Sequence, residues 1–174
     1  MKKIVCLIDD LCPGGAQRQL VGLAYLLKES GYDISVMTYH NDSFYMPVLS
    51  DNGIPHVYDS SFESPLRRIP LIASRIKKMA PDVVIAYQES PSLIACCSKL
   101  LSGRFKLIVS ERNTTQYIGM NERLRFFLYK FADTIVPNSH SQEAFLRTHY
   151  PAFDKNICTI TNFVDTDKFI QDNS

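Results

Sequence analysis

Two adjacent glycines in the run Pro13-Gly14-Gly15-Ala16-Gln17-Arg18 stand between an apolar stretch and the first residues of a helical repeat. Glycine lets backbone approach a ligand closely, and the free N–H groups of a helix's first turn attract an anion, so a phosphate or diphosphate suits this loop. The same pair also serves simply to turn the chain, and both readings stand. A second polar run, Ser110-Glu111-Arg112-Asn113-Thr114-Thr115, follows another apolar stretch directly. Arg112 offers a planar fork that matches a carboxylate or phosphate, and Glu111 can pair with it or accept from hydroxyl groups; an ordinary surface ion pair fits as well. Two further polar runs, Val136-Pro137-Asn138-Ser139 and Thr161-Asn162-Phe163-Val164-Asp165, complete the set, with Ser139 and Gln142 reading as a capping box.

Other chemistries are disfavoured. The GxGxxG fingerprint is absent, and Thr38-Tyr39-His40 stands where a ribose-binding acid would close the second strand, which argues against a nicotinamide cofactor. Asp9 and Asp10 resemble the acid pair of a receiver domain, with Asp59 as phosphoacceptor, but Ser110-Glu111-Arg112 supplies no lysine for that chemistry; loop hydrogen bonding is the plainer role. The 5 cysteines show no CxxC or Cys/His spacing, so no metal site is expected and the thiols read as reduced, small apolar groups. With 19 Lys+Arg against 18 Asp+Glu, the formal charge of +1 gives no field for holding nucleic acid.

The elements that must position these loops follow from periodicity. Ile4–Ile8, Ile34–Thr38, Ile54–Tyr58, Val83–Tyr87, Phe105–Val109, Thr134–Val136 and Ile157–Ile160 are short apolar runs read as strands. Between them lie helical stripes: Leu20, Leu23, Ala24 and Leu27, ended by Gly31; Ile72, Ala73, Ile76 and Met79 behind Pro70; Leu93, Ile94, Cys97 and Leu101 behind Pro91; and Leu124, Phe127, Leu128 and Phe131. Wholly apolar strands alternating with single helices make a parallel sheet covered on both faces. The expectation is an α/β, doubly wound, Rossmann-like domain of about seven mostly parallel strands, whose ligands bind beyond the strands' carboxyl ends. It fills residues 1–163, leaving 164–174 as a loosely held polar tail, which the resemblance described below makes the start of an interdomain linker.

No apolar segment approaches the roughly 20 residues of a membrane span, and the five-residue run after Met1-Lys2-Lys3 is too short for a signal-peptide core, so the chain reads as cytoplasmic. Two stretches are locally basic. One carries Arg67, Arg68, Arg75, Lys77 and Lys78. In the other, residues 121–131, Arg123, Arg125 and Lys130 interleave with Phe126, Phe127, Tyr129 and Phe131. The second suits peripheral contact with an anionic membrane surface, or else an ordinary helix with its aromatics in the core.

Taken in order, these motifs resemble the N-terminal half of a GT-B glycosyltransferase of the retaining family 4. The resemblance rests on Gly14-Gly15-Ala16-Gln17, Glu29-Ser30-Gly31-Tyr32-Asp33-Ile34-Ser35-Val36, Ala80-Pro81-Asp82-Val83-Val84-Ile85, Val109-Ser110-Glu111-Arg112-Asn113, Ala132-Asp133-Thr134-Ile135-Val136 with Asn138-Ser139, and Ile160-Thr161-Asn162-Phe163-Val164-Asp165 with Phe169. It implies an acceptor-binding domain facing a donor-binding domain across a cleft, Gly14 and Gly15 near the diphosphate of a UDP- or GDP-sugar, and Gln17, Glu111, Arg112 and Asn113 toward the acceptor. Asn162 would lie at the interdomain cleft, and Arg112 would stand where many relatives carry a histidine that contacts the transferred sugar. The resemblance further implies retention of configuration, no metal and no cofactor beyond the donor. The acceptor would be a glycan or lipid-linked saccharide of cell-surface polysaccharide assembly. The family's paired glutamates belong to the other half, so this chain alone is expected to be inactive; a native stop at Ser174 would favour instead a non-catalytic module binding a phosphorylated or nucleotide ligand at Gly14-Gly15.

Overall fold

The computed structural model describes residues 1–112 and 119–164. Six strands form one parallel sheet: β1 (Lys3–Leu7), β2 (Asp33–Met37), β3 (His56–Val57), β4 (Val83–Tyr87), β5 (Lys106–Glu111) and β6 (Thr134–Pro137), in the order β3-β2-β1-β4-β5-β6. Six α-helices connect and flank them: α1 (Gly15–Glu29), α2 (Met46–Asp51), α3 (Arg68–Met79), α4 (Glu89–Ser102), α5 (Met120–Tyr129) and α6 (His140–His149). Strand alternation divides the core in two. Val5, Leu7, Val84, Ala86, Leu107 and Val109 pack beneath α3, α4 and α5, while Ile4, Cys6, Ile34, Val36 and Ile85 pack beneath α1 and α2. Because β1 pairs with β2 on one side and β4 on the other, the direction of winding reverses at β1/β4 and opens a crevice at their carboxyl ends. No helix among the described residues is long and apolar enough to cross a membrane.

The expected doubly wound architecture is present, with six strands rather than about seven. The last apolar run makes a single bridge, Ile157 to Ile135, and then only N–H bonds from Cys158 to Ile135 and from Ile160 to Pro137. Ile157 alone of that run is buried, so too little apolar surface is gained to extend a ladder. Conversely β5 runs on through Ser110 and Glu111, which the sequence pattern places in a loop.

The helix boundaries agree with their signals. Gly31 takes φ 83° behind α1, Pro70 lies in the first turn of α3, and Ser139 Oγ accepts the Gln142 amide at 3.2 Å to open α6. Two inward faces differ from expectation. In α4, Ile94, Ala95 and Cys96 are buried while Leu101 is 63% exposed. In α5, Phe126 and Tyr129 point into the core, and Leu124 and Phe127, expected to be inside, are exposed. The cause is Arg125, which lies on the buried side and pairs with Glu89 and Glu111; satisfying that charge turns the helix by about one residue relative to its leucine stripe.

Candidate functional site

The chain leaves β1 through Ile8, whose amide donates to Met37 O, and enters the loop Asp9–Gly14. Asp10 organises this loop: one carboxylate oxygen accepts from the Cys12 amide at 3.1 Å and from Gln17 Nε2 at 2.9 Å. Burial pushes the Asp10 carboxyl up, but the Cys12 and Gln17 bonds outweigh it and hold it below the usual carboxylate range. Gln17 is buried and folded back over the loop, so a Cβ on Gly14 would fall 2.2 Å from Gln17 Oε1. A side chain at Gly14 would therefore have to displace the Gln17 amide from its place over the loop. Gly15 is unobstructed: a Cβ there meets nothing within 4 Å, and its φ lies outside the left-handed region. As the first residue of α1 it stands at an N-terminus with no side-chain cap and no acid in its first turn. Backbone N–H groups and the positive end of the helix dipole are thus presented without an internal anion.

Beside this loop, β4 ends in Tyr87 and is followed by Gln88. Arg112, leaving β5, stacks its guanidinium 4.2 Å above the Tyr87 ring centroid and donates from Nη2 to the Tyr87 hydroxyl at 2.7 Å. Its Nη1 donates to Asn162 Oδ1 at 2.9 Å, and its carbonyl accepts from Asn138 Nδ2 at 3.1 Å. Burial lowers the Arg112 pKa, opposed by the Tyr87 contact. The structure therefore brings Arg112 and Asn162 together, two residues fifty positions apart, and explains the Asn138-Ser139 pair as a brace and a cap.

Glu111 stands elsewhere. Its side chain is wholly buried, accepts from the Tyr129 hydroxyl and faces Arg125, which also reaches Glu89. Burial pushes its carboxyl up, with Arg125 opposing. In this structure its carboxylate belongs to a buried network joining β5, α4 and α5. Asn113, expected beside it, and Asp165 and Phe169 lie outside the described residues.

Three residues here gave no sequence signal. Gln88 adopts φ 76° and ψ 174°, a conformation that L side chains rarely take. Gln19, buried in α1, clasps the backbone of Phe163, donating to its carbonyl at 2.7 Å and accepting from its amide at 3.0 Å. Gly22 leaves the space over which the Phe163 ring lies. A helical glutamine and glycine read as surface residues unless the strap they hold is known. Among the described residues no group of three His, Cys, Asp or Glu side chains is placed to hold a metal ion.

Comparison with known proteins bears on this arrangement. The model of Glycosyltransferase Family 4 matches residues 13–168. A curated relative from Campylobacter jejuni, an alpha-1,4-N-acetyl-D-galactosaminyltransferase named for the acceptor GalNAc-alpha-(1→4)-GalNAc-alpha-(1→3)-diNAcBac-PP-undecaprenol, is 25% identical over 93% of this chain and 46% of its own length. Among solved structures, Anabaena HepE with UDP and glucose superposes with a TM-score of 0.76 at 19% identity, covering 96% of this chain and 46% of that one. A Rickettsia africae glycosyltransferase gives 0.77 at 19%, covering 99% and 46%. The Staphylococcus aureus MnaA–UDP structure gives 0.70 at 18%, covering 93% and 44%. The chain spans about half the length of each of these proteins, and the structural likenesses establish the fold.

Proposed function

Because this chain belongs to Glycosyltransferase Family 4, we propose that it forms the acceptor-side half of an enzyme that moves a sugar from a nucleotide-sugar donor onto a glycan or lipid-linked acceptor. The observation that carries this reading is Gly15. Nothing inside the chain requires a glycine there, yet a side chain would project from the helix N-terminus into the space a diphosphate must enter. UDP in the HepE structure and the undecaprenol diphosphate acceptor named for the Campylobacter relative support a UDP-sugar and a lipid-linked saccharide; GDP remains the other donor nucleotide to be assayed. Cell-surface polysaccharide assembly is the setting that such an acceptor suits.

Transfer needs donor and acceptor held together in a near-attack geometry, and this half contributes one wall of that cleft. We assign the diphosphate to the Gly14–Gly15 turn, and the acceptor to the rim carrying Arg112 and Asn162. Gln17 acts from beneath, by shaping the turn. Retention of anomeric configuration, independence of metal and inactivity of the isolated half belong to the same proposal, as does peripheral contact of residues 121–131 with the inner face of the membrane.

The test is Gly15→Val in the complete enzyme, assayed with UDP- and GDP-sugars against a lipid-linked saccharide. The expected result is at least a tenfold rise in donor KM with an unchanged melting temperature, since the new side chain enters open space. Full activity in this variant would overturn the assignment.

A further inference from the structure

Gln88 sits where β4 gives way to α4, and its backbone is pinned on both sides: its amide donates to Ser110 O at 3.2 Å and its carbonyl accepts from Ser92 N at 3.2 Å. Between these anchors it holds φ 76° and ψ 174°, a region that only glycine enters without steric cost. A helix start at this point would be served by glycine for the backbone, or by serine, aspartate or asparagine for the cap. Glutamine offers neither advantage, and its side chain makes no cap bond. Its amide end lies against Asp9, and because a carboxylate can only accept, the orientation assigned on chemical grounds turns the nitrogen toward it; so oriented, Gln88 clamps Asp9 by donating to both carboxylate oxygens, at 2.7 and 3.1 Å.

Asp9 is itself fixed at the junction of three strands. Its carbonyl accepts from the amides of Tyr39 and His40, at 3.1 and 2.9 Å, beyond the end of β2. One carboxylate oxygen also accepts from the Asp10 amide at 3.0 Å. A carboxylate has about four acceptor sites. The Asp9 amide also bonds this carboxylate; of the two oxygens, one takes the Asp10 amide and the shorter Gln88 bond, while the oxygen remote from the Asp10 amide takes only the longer Gln88 bond, 3.1 Å, and is the one left to a ligand. The charged and titratable groups around it are Asp10 from its own loop, His40 and Tyr39 from beyond β2, and Arg68 of α3 lying 4.2 Å over the Tyr39 ring. A half-buried carboxylate with one less occupied oxygen suits a hydroxyl or amide donor and repels a phosphate.

Resting on the transferase reading above, we propose that Asp9 accepts a hydrogen bond from a hydroxyl of the acceptor saccharide, and that Gln88 is the positioning residue that aims it. The backbone strain at Gln88 accompanies an amide that reaches both oxygens of Asp9.

Gln88→Gly separates this role from a structural one, since glycine adopts the same backbone freely but cannot clamp. Two measurements decide. In the 174-residue chain, the Asp9 side-chain carboxyl carbon is titrated by NMR in the parent and in Gln88→Gly. Loss of two donors to the ionised form is expected to raise its pKa by roughly one unit; an unchanged value overturns the clamp. In the complete enzyme, assayed with a UDP-sugar and a lipid-linked saccharide, Gln88→Gly and Asp9→Asn are expected to lower kcat/KM for the acceptor at least tenfold. The donor KM should stay within twofold, the acid limb of the Gln88→Gly profile should move to higher pH, and the melting temperature of Gln88→Gly should be equal or higher. A lowered melting temperature with an unmoved acid limb overturns the positioning role. Absence of transfer by the parent enzyme overturns the transferase reading and the hydroxyl assignment with it, and is told apart by the NMR arm, which reports on the clamp alone.

Discussion

The side-chain amide of Gln19, in the middle of α1, binds both backbone polar groups of Phe163, 144 residues away, while the Phe163 ring covers Gly22. The segment that follows the last bridge is thus strapped along α1, and the strap sets the height of Asn162, the partner of Arg112. A Cβ at residue 22 would fall 2.5 Å from the ring's Cζ, so Gly22→Ala must displace the ring. The same change favours helix by about 0.5–1 kcal/mol. The expected outcome is a melting temperature equal to or above the parent's, with faster hydrogen exchange at the Phe163 amide. Slower exchange, or a clear loss of global stability, would show that the strap is held by something other than this slot.

Arg125 carries a different burden. It lies in α5 with its charge against the wholly buried Glu111 and the partly exposed Glu89. Removing it strands the Glu111 carboxylate, a change that costs about 3–5 kcal/mol in comparable buried pairs. Arg125→Ala is therefore expected to be strongly destabilised in chemical denaturation. Arg125→Met with Glu111→Gln, which removes both charges and keeps the volume, is expected to recover most of that loss. If the double variant is no more stable than Arg125→Ala, the pair is not what seats α5.

The contrast between these contacts shows what the amino-acid pattern exposes and what it hides. Ile4–Ile8 and Val83–Tyr87 announce themselves because a strand buried on both faces must be apolar at every position, and Gly31 because αL backbone favours glycine. Gly14 and Gly15 are legible as a pair, but only the position of Gln17 shows that the first is crowded by a neighbouring side chain and the second is not. In α5, Phe126 and Phe127 are adjacent and equally apolar, so either can face inward; the choice is made by Glu89, at the start of α4, and Glu111, at the end of β5. Gln88 is invisible for a related reason: its conformation is imposed by Ser110, Ser92 and Asp9, and glutamine carries no local preference for it.

Near the other end of the sheet, Glu143 accepts from Thr159 Oγ1 at 2.6 Å and from Arg147 Nε at 3.0 Å, tying α6 to the segment after Ile157. The Thr159 bond first, then Arg147 and His140, hold its carboxyl at about 2, below the ordinary 4.5. A carboxyl depressed on folding adds stability that is present above its unfolded pKa and lost as pH falls through its folded one. The melting temperature of the parent should therefore exceed that of Glu143→Gln above about 4.5, and the gap should close as the pH approaches about 2. A gap that stays constant across this interval would mean the carboxylate contributes through shape and not through charge.

The outward face of α5 bears on the proposed contact with a membrane. Met120, Leu124 and Phe127 are 84%, 53% and 58% exposed and recur at i, i+4 and i+7, so they form one stripe, flanked by the exposed Arg123 and Lys130. Lys130 Nζ lies 3.6 Å over the Phe127 ring, bringing cation and aromatic into one patch. Basic groups beside an anionic bilayer contribute about 1 kcal/mol each, and apolar side chains entering the headgroup region add to this. Arg125, although part of the same basic stretch, is on the core side and takes no part. In flotation with phosphatidylglycerol-containing vesicles, Arg123→Glu with Lys130→Glu is expected to weaken binding at least tenfold at low salt. Leu124→Ser with Phe127→Ser should weaken it at any salt, because the apolar contribution is unscreened while the charged one falls with ionic strength. Both double variants should keep the parent's melting temperature, since none of these four side chains is buried. Undiminished vesicle binding by both would remove α5 from the membrane surface and leave its apolar stripe to another partner.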